Sequence, residues 1–208
     1  MRLLNVVQNT PEWYALRRTK IGASDCSGIL SKNPYTTPLR IWRQKIFDDK
    51  EEVNGDMQRG IDLEEKARQW ISEEHKIPYK TACIQSEERE WQIASLDCFY
   101  GDDHSIFAGE IKSPRKRNFY KIQKNGIPDY WSWQIQHQLS VTGLERMFLL
   151  LYTEEDRHII WINRDKKMIQ TLEALEEVFY FEYMLKFNPP PLNDSEKSFE
   201  KFLSQFVV

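Results

Sequence analysis

The sequence lacks a long hydrophobic run, a paired-cysteine motif and a strong excess of either charge. Its strongest apolar run, Met147 to Tyr152, is far too short to span a bilayer, and the N-terminus does not have the charged-then-apolar layout of a secretory signal. The three cysteines form no C-x-x-C pair and leave one over in any disulfide scheme, which favours free thiols in a reducing compartment. The four histidines lie apart along the chain and away from the cysteines, so no zinc motif is present. We therefore expect a soluble, cytoplasmic protein without membrane association.

The composition is that of one globular domain. With 208 residues, 40% of them hydrophobic, the chain is long enough to bury a sizeable core. We expect N-terminal helices over residues 1–55, a core over 56–187 and a C-terminal tail over 188–208. The net charge of −3 argues against a protein that coats nucleic acid through its overall field, but it leaves room for local basic clusters. Two such clusters are Arg17, Arg18 and Lys20, and Arg115, Lys116 and Arg117. The alternative interpretation is that each cluster is a run of solvated surface charges.

The segment from Trp91 to Lys112 predicts two strands joined by a polar turn. Period-2 alternation puts Asp97 at the end of one otherwise apolar face, and Glu110 and Lys112 at the end of another. A hairpin that turns at residues 102–105 sets Asp97 opposite Glu110, which is one way in which a β-ribbon forms a divalent-metal site. A charged hairpin end in water is the alternative interpretation.

A helix predicted over residues 56–75 carries a second candidate carboxylate. Helical spacing puts Glu64 on the same face as Ala67 and Ile71, whereas Glu65 shares the outer face with Arg68. Because burying an unpaired charge is costly, a carboxylate on an apolar face must be neutralised, paired or bound to metal. Alternatively, Glu64 lies at the margin of the apolar stripe and reaches water.

The N-terminal region contains a candidate anion site. A helix is predicted over residues 11–19, and Ser24 is placed to cap a second short helix that runs to Leu30. A serine hydroxyl, the amides of a helix N-terminus and the nearby Arg17 form a suitable receptor for a terminal phosphate. A plain N-cap beside a surface arginine is the alternative.

The helix predicted over residues 129–142 turns two glutamines towards its apolar side. Gln134 and Gln138 are four residues apart and share a face with Trp131 and Ile135. Buried amides need hydrogen-bond partners, which an active-site lysine, a nucleic-acid backbone or neighbouring backbone groups would supply.

The rest of the chain contains further predicted helices and strands. Further helices are predicted over residues 38–47 and 166–186, and further strands over 81–86, 146–153 and 157–163. The stretch between Lys112 and the helix at 129 is predicted as a basic loop that either follows a DNA backbone or is solvated.

Taken in chain order, these motifs resemble the YqaJ/lambda-exonuclease family of phage recombination nucleases, within the PD-(D/E)xK nuclease superfamily. The motifs that carry the resemblance are Glu64, Asp97 and Glu110-Ile111-Lys112; Trp13 to Arg17 with Gly22-Ala23-Ser24-Asp25; Gly60-x-x-Leu63-Glu64; and the run from Trp133 to Gln138. The resemblance covers roughly Trp13 to Tyr152. Leu96 stands where the superfamily name has proline, at a position that is commonly apolar in the group. The fold that it implies is an α/β core in which a central mixed β-sheet is flanked by α-helices.

The resemblance also implies roles for individual residues. Glu64, Asp97, Glu110 and the Ile111 carbonyl would bind Mg²⁺, with Mn²⁺ able to substitute. Lys112 would orient or deprotonate the attacking water, with Gln134 beside it. The positions that match the family's 5′-phosphate and DNA contacts are Arg17, Ser24 and Gln138.

The activity that the resemblance implies is 5′-to-3′ exonuclease digestion of double-stranded DNA ends. The products would be mononucleotides and a 3′ single strand for a partner annealing protein, in a bacterial or phage-infected cell. A homo-oligomer, in particular a ring-shaped trimer around the DNA, is also implied. Two alternatives stay open: a related nuclease that cuts DNA internally, and a DNA-binding module without catalysis.

Overall fold

The computed structural model describes residues 1–49, 54–102 and 104–192. The helices are α1 (Pro11–Thr19), α2 (Ala23–Ile29), α3 (Pro38–Phe47), α4 (Gly55–His75), α5 (Lys116–Asn125), α6 (Asp129–Thr142) and α7 (Lys166–Val178), which continues as a π-helical turn over Phe179–Met184. The strands are β1 (Arg2–Leu4), β2 (Ile21–Gly22), β3 (Lys80–Gln85), β4 (Gln92–Gly101), β5 (Ile106–Lys112), β6 (Arg146–Tyr152) and β7 (Arg157–Asn163). In the described part of the chain, no helix is long and apolar enough to cross a membrane.

The strands form one mixed sheet in the order β1-β3-β4-β5-β6-β7, with β2 beside β4. The β5–β6 and β2–β4 pairs are parallel and the others are antiparallel. The crossover from β5 to β6 contains α5 and α6, because parallel neighbours need a long connection. The predicted mixed sheet with flanking helices is confirmed.

Two apolar cores lie on opposite faces of the sheet. One core contains the buried side of α6 and α7, including Ile135, Leu139 and Leu172. The other contains the buried side of α4, where Leu63 and Ile71 pack on β5 and β6. Alternate residues of β6 enter alternate cores, as the period of two along a strand requires.

Strand β4 changes partner along its length. Its start pairs with β2 at Gln92 and Ile93, and its end pairs with β5 from Cys98 to Gly101. Between these segments the β3–β4 register shifts, so that Leu96 and Phe99 both belong to the α6 side. The shift is a β-bulge, a device that re-aims side chains and is common beside active sites. The strict alternation predicted from Trp91 to Asp97 therefore fails at Asp97, the residue that the bulge re-aims.

Four predictions about local structure need correction or lie, in whole or in part, outside the described residues. The predicted basic loop is in fact the helix α5, whose apolar side buries Phe119 and Ile122. Ser24 is not the N-cap of α2, because Gly22 holds that position and the Asp25 carboxylate accepts the Gly22 N–H. The apolar tail predicted at 193–208 and the turn residue at 103 lie outside the described residues.

Candidate metal centre and phosphate site

Three acidic side chains from three elements converge where β4 and β5 separate. Asp97 follows the bulge in β4, Glu110 lies on β5, and Glu64 lies on α4. The β4–β5 ladder ends at the Cys98–Gly109 pair, so the next position of the same register would align Asp97 with Glu110. Instead of continuing the ladder, the Ile111 N–H donates to Asp97 Oδ2 at 2.8 Å. The strands thus separate at the point where the carboxylates meet.

The carboxylates are not fully neutralised by their surroundings. Burial raises the pKa of Asp97 well above its ordinary value, and the negative charges of Glu110 and Glu64 raise it further. Lys112 and the Ile111 N–H act in the opposite direction but do not outweigh them. A site that resists the ionisation of one of its own acids has an excess of negative charge.

Lys112 is the nearest cation to this group. Its Nζ lies 2.7 Å from Glu110 Oε1 and 5.8 Å from the centroid of the Trp131 ring. Burial alone would lower the pKa of Lys112, but the carboxylates of Glu110, Asp97 and Glu64 outweigh it and raise that pKa. In the metal-free arrangement Lys112 is therefore a protonated donor. We refer to Glu64, Asp97, Glu110 and Lys112 as the carboxylate centre.

Two glutamines of α6 hold Glu110 in place. Gln134 Nε2 donates to Glu110 Oε1 and Gln138 Nε2 donates to Glu110 Oε2, each at 2.6 Å. The partner of these amides is thus Glu110, a candidate metal ligand, and sequence reasoning did not propose this contact. Gln138 is fully buried and bonded to Glu110 in this structure, and its contact with DNA stays a prediction.

Arg68 is a site residue that sequence reasoning missed. It was expected on the outer face of α4, but its side chain is only 11% exposed. Its Nη1 donates to Glu64 Oε1 at 3.0 Å and to the Asp97 backbone oxygen at 2.7 Å. Glu64 itself is 30% exposed, which agrees with the alternative that it lies at the margin of the apolar stripe. The sequence contained no signal for the inward contact of Arg68, because the Asp97 backbone oxygen that it reaches is 29 positions away along the chain.

The donor set of the carboxylate centre suits a hard divalent cation. Three carboxylates face two cations, Lys112 and Arg68, and carboxylate oxygens are the ligands that Mg²⁺ prefers. The resulting negative charge would be relieved by one cation. The residues present therefore fit a magnesium-type ion.

Arg17 and Ser24, the predicted phosphate residues, are in direct contact. Arg17 Nη2 donates to Ser24 Oγ at 2.7 Å, and its guanidinium lies 4.7 Å from the centroid of the Trp13 ring. The Trp13 indole N–H donates in turn to Ser95 Oγ at 2.8 Å. Ser95 precedes Asp97 by two positions on β4, about 7 Å along a strand. This chain of contacts connects the candidate phosphate site to the carboxylate centre, and sequence reasoning missed Ser95.

A second buried polar group lies on the α6 side of the sheet, and we call Cys26, Gln92, His137 and Glu176 the inner network. The thiol, imidazole and carboxylate atoms of three of its members lie within 4.8 Å of one another, so the expectation that the histidines are remote from the cysteines is wrong for His137. His137 Nδ1 is 2.7 Å from Glu176 Oε1 and its Nε2 is 3.0 Å from the Ile93 carbonyl. Gln92 Nε2 donates to Glu176 Oε2 at 2.7 Å.

The protons of the inner network can be assigned from these contacts. A carbonyl only accepts, so Nε2 of His137 carries a proton, and a second proton must lie between Nδ1 and the Glu176 carboxylate. Burial alone would lower the pKa of His137, but Glu176 and the Ile93 carbonyl raise it overall. We therefore describe this group as an imidazolium and a carboxylate that neutralise each other. A thiol, an imidazole and a carboxylate are also ligands for transition metals, but hydrogen bonds at 2.7 Å already occupy the imidazole Nδ1 and both carboxylate oxygens.

The basic segment after β5 is paired with acidic residues. Arg115 donates to Asp56 at 2.7 Å, and Lys116 contacts Glu155. Both side chains are nevertheless more than half exposed. They line a groove with Arg59 and Lys66.

This mixed sheet with flanking helices has the fold of an alkaline exonuclease of known structure. The crystal structure of an alkaline exonuclease from Laribacter hongkongensis superposes with a TM-score of 0.70 over 95% of this chain and 100% of that chain, at 23% identity. The same enzyme in complex with dAMP gives a TM-score of 0.71. A phage-related exonuclease from Haemophilus somnus 129PT is more distant, with a TM-score of 0.52 and 14% identity over 84% of this chain and 99% of that chain.

The family follows from the sequence comparison. Residues 12–145 match the model of the YqaJ-like viral recombinase domain, and the chain belongs to that family. A curated relative, the uncharacterized protein YqaJ of Bacillus subtilis strain 168, is 26% identical over 211 aligned residues, which cover 97% of this chain. The match spans 64% of the relative's own length.

Proposed function

We propose that this protein is a Mg²⁺-dependent exonuclease that digests double-stranded DNA from its 5′ ends, releases 5′-mononucleotides and leaves a 3′ single strand. The observation that carries the proposal is the convergence of Glu64, Asp97 and Glu110 beside Lys112, with one carboxylate held by two amides. The structural relative is named an alkaline exonuclease, and one of its crystal structures contains dAMP, a nucleoside monophosphate. Both names agree with the proposed reaction and product.

The carboxylate centre would hold the metal. Glu64, Asp97 and Glu110, with the Ile111 carbonyl, would bind Mg²⁺ or Mn²⁺. A cation held there would supply relief of the charge that develops on the attacking and leaving oxygens of the phosphodiester. Arg68 keeps Glu64 in position, and Gln134 and Gln138 do the same for Glu110.

Lys112 would act on the attacking water. Because the neighbouring carboxylates raise its pKa, Nζ is a hydrogen-bond donor in the resting site and orients the water. Neutralisation of these carboxylates would remove the cause of the raised pKa and would make proton acceptance easier.

The 5′-phosphate would be held by Arg17 and Ser24. A guanidinium is suited to bidentate phosphate binding. The guanidinium of Arg17 lies against the Trp13 ring, whose indole N–H donates to Ser95. Since Ser95 and Asp97 are about 7 Å apart along β4, an anchored end would present the next phosphodiester to the carboxylate centre. An anchored 5′-phosphate would also explain how the enzyme removes one nucleotide per cycle.

The remaining expectations are proposals of the same kind. We propose a single nuclease domain, a cytoplasmic location in a bacterial or phage-infected cell, a partner protein that anneals the 3′ strand, and a homo-oligomer in the form of a ring-shaped trimer. The paired but exposed side chains of Arg115 and Lys116 are proposed to exchange their acidic partners for DNA phosphates.

The test uses linear duplexes labelled at either end, with and without a 5′-phosphate, and a covalently closed circle, each incubated with the protein and Mg²⁺. We expect mononucleotides from the 5′-phosphorylated ends and an intact circle. Cutting of the circle would instead indicate an endonuclease. DNA binding without hydrolysis, with or without Mg²⁺, would indicate a binding module.

A further inference from the structure

A buried ion pair lies directly beneath the candidate phosphate site. Lys45 of α3 and Asp25 of α2 are both less than 10% exposed, and Lys45 Nζ lies 2.5 Å from Asp25 Oδ2. The same Nζ donates to the Arg17 backbone oxygen at 2.7 Å. Lys45 therefore has two acceptors inside the protein and is too deeply buried to touch a substrate itself.

The pair connects the segments that carry the two phosphate residues. Through Lys45, the C-terminal end of α1 is fastened to α3 at Arg17. Through Asp25, the turn before α2 is fixed, because Oδ2 accepts the Gly22 N–H at 2.8 Å. Asp25 Oδ1 also lies 3.7 Å from Arg17 Nη2, the nitrogen that donates to Ser24. The backbone oxygen and the guanidinium of Arg17 thus both contact the buried pair, through Lys45 and Asp25 respectively.

The presence of a carboxylate at this place needs an explanation. Burial would raise the pKa of Asp25, but Lys45 and Arg17 outweigh it and lower the pKa, so the group is a carboxylate at neutral pH. A negative charge behind an anion site would weaken anion binding unless a cation compensates it. Lys45 supplies that cation, and the group of Arg17, Lys45 and Asp25 keeps one net positive charge.

The fit around Arg17 is close. A Cβ on Gly22 would lie 3.1 Å from Arg17 Nη1, so a glycine at this position lets the guanidinium lie against the backbone turn. The residues around Arg17 therefore determine the orientation of its guanidinium as well as the local charge.

We propose that Lys45 and Asp25 are positioning residues for 5′-phosphate recognition: they fix Arg17 and Ser24 in the orientation that receives the phosphate of the strand end. This inference rests on the proposed exonuclease function. It assigns specificity for the phosphorylated end to two residues that never touch it.

The experiment compares initial rates on 5′-phosphorylated and 5′-hydroxyl ends of the same duplex, and the ratio of these rates is the readout. The central variant is the double substitution Asp25→Asn/Lys45→Met, which keeps the net charge of the group and leaves no unpaired buried charge. We expect the ratio to fall at least fivefold while the melting temperature shows that the protein is folded. A ratio equal to that of the parent protein would overturn the proposal, since charge alone would then account for the site.

The single variant Asp25→Asn also distinguishes a positioning role from an electrostatic role. It is the test to use if the double variant does not fold. It retains an oxygen for the Gly22 N–H but makes the group more positive. A positioning role predicts a lower ratio, whereas a purely electrostatic role predicts a higher one and would contradict the inference.

Two controls separate this inference from the proposed function. Arg17→Ala should remove the preference for phosphorylated ends; if the parent protein has no such preference, the phosphate site and the inference both fail. Lys186→Met/Glu182→Gln makes the same chemical change at an exposed pair within the C-terminal segment and should leave the ratio unchanged. If Arg17→Ala loses the preference and the Asp25/Lys45 double variant keeps it, only the inference is wrong.

Discussion

Two groups of buried charge lie along the same strand, and they are balanced differently. In the inner network at the start of β4, the imidazolium of His137 faces the carboxylate of Glu176, and both side chains are fully buried. In the carboxylate centre farther along β4, three carboxylates face two cations, and Lys112 is 23% exposed. In the inner network the charges are buried and balance each other. In the carboxylate centre the charges are partly exposed and negative charge is in excess.

This difference in charge balance indicates that the inner network stabilises the fold, whereas the carboxylate centre is suited to binding a cation. A matched and hydrogen-bonded pair keeps the fold in one arrangement, and it becomes strongly destabilising only when one partner is removed. An unmatched group of like charges destabilises the free protein but supplies affinity for a cation. Removing a charge should therefore have opposite effects on stability in the two places.

The largest expected effect is the loss of cleavage in Asp97→Asn. Because this substitution removes a proposed metal ligand, we expect the cleavage rate at saturating Mg²⁺ to fall by about a thousandfold or more, roughly 4 kcal/mol of transition-state stabilisation. Release of labelled nucleotides from a linear duplex measures it. A loss of less than tenfold would exclude Asp97 from the metal site.

Substitutions in the inner network should change the stability of the folded protein. His137→Leu leaves Glu176 buried without its cation, and we expect the free energy of unfolding to fall by about 3–5 kcal/mol, which lowers the melting temperature by roughly 6–20 °C. The double variant His137→Leu/Glu176→Leu removes both charges and should be more stable than the single variant. A double variant that is less stable than the single one would contradict a matched pair.

A smaller effect is expected for the glutamine that holds Glu110. Gln138→Leu removes a charge-assisted hydrogen bond to a buried carboxylate and should cost about 1.5–3 kcal/mol of stability, with cleavage slowed about tenfold. The matched control is Gln136→Leu on the same helix, since Gln136 bonds only to the backbone at Asn163 and Asp165. Cleavage by folded Gln136→Leu should stay within a factor of about two. Equal slowing in both variants would indicate a general effect on α6.

The smallest effect is a pH dependence of stability. Because the pKa of His137 is raised in the folded protein, its stabilisation is complete below the unfolded pKa of about 6.5 and is lost as the pH rises through the folded value. Denaturant unfolding between pH 6 and 9 should therefore show a decline that is weaker in His137→Leu/Glu176→Leu. An identical decline in both proteins would show that His137 does not titrate in this way.

The sequence predicted the fold and the places of Glu64 and Glu110 because these depend on local periodicity, which the bulge interrupts at Asp97. The alternation from Ile106 to Lys112 fixed the side of the sheet that Glu110 would occupy, and helical spacing selected Glu64 over Glu65. Capping and turn residues likewise marked the bounds of α1, α3 and α6.

The residues that were missed act through partners far apart in the chain. Arg68 has the helical position of a surface residue, and only the approach of the bulge at Asp97 gives it a buried acceptor. His137 and Cys26 are 111 positions apart and meet only because α2 packs on α6. The helix α5 was taken for a loop because its basic residues concealed the apolar spacing of Phe119 and Ile122.

The most direct test of the carboxylate centre is the melting temperature of the parent protein and of Asp97→Asn, each in EDTA and in excess Mg²⁺. If three carboxylates form an incompletely neutralised cation site, Asp97→Asn should melt about 2–4 °C higher than the parent protein in EDTA, for a gain of about 1 kcal/mol. Mg²⁺ should raise the melting temperature of the parent protein and leave that of the variant nearly unchanged. A variant that melts lower in EDTA, and that responds to Mg²⁺ as the parent protein does, would contradict the account.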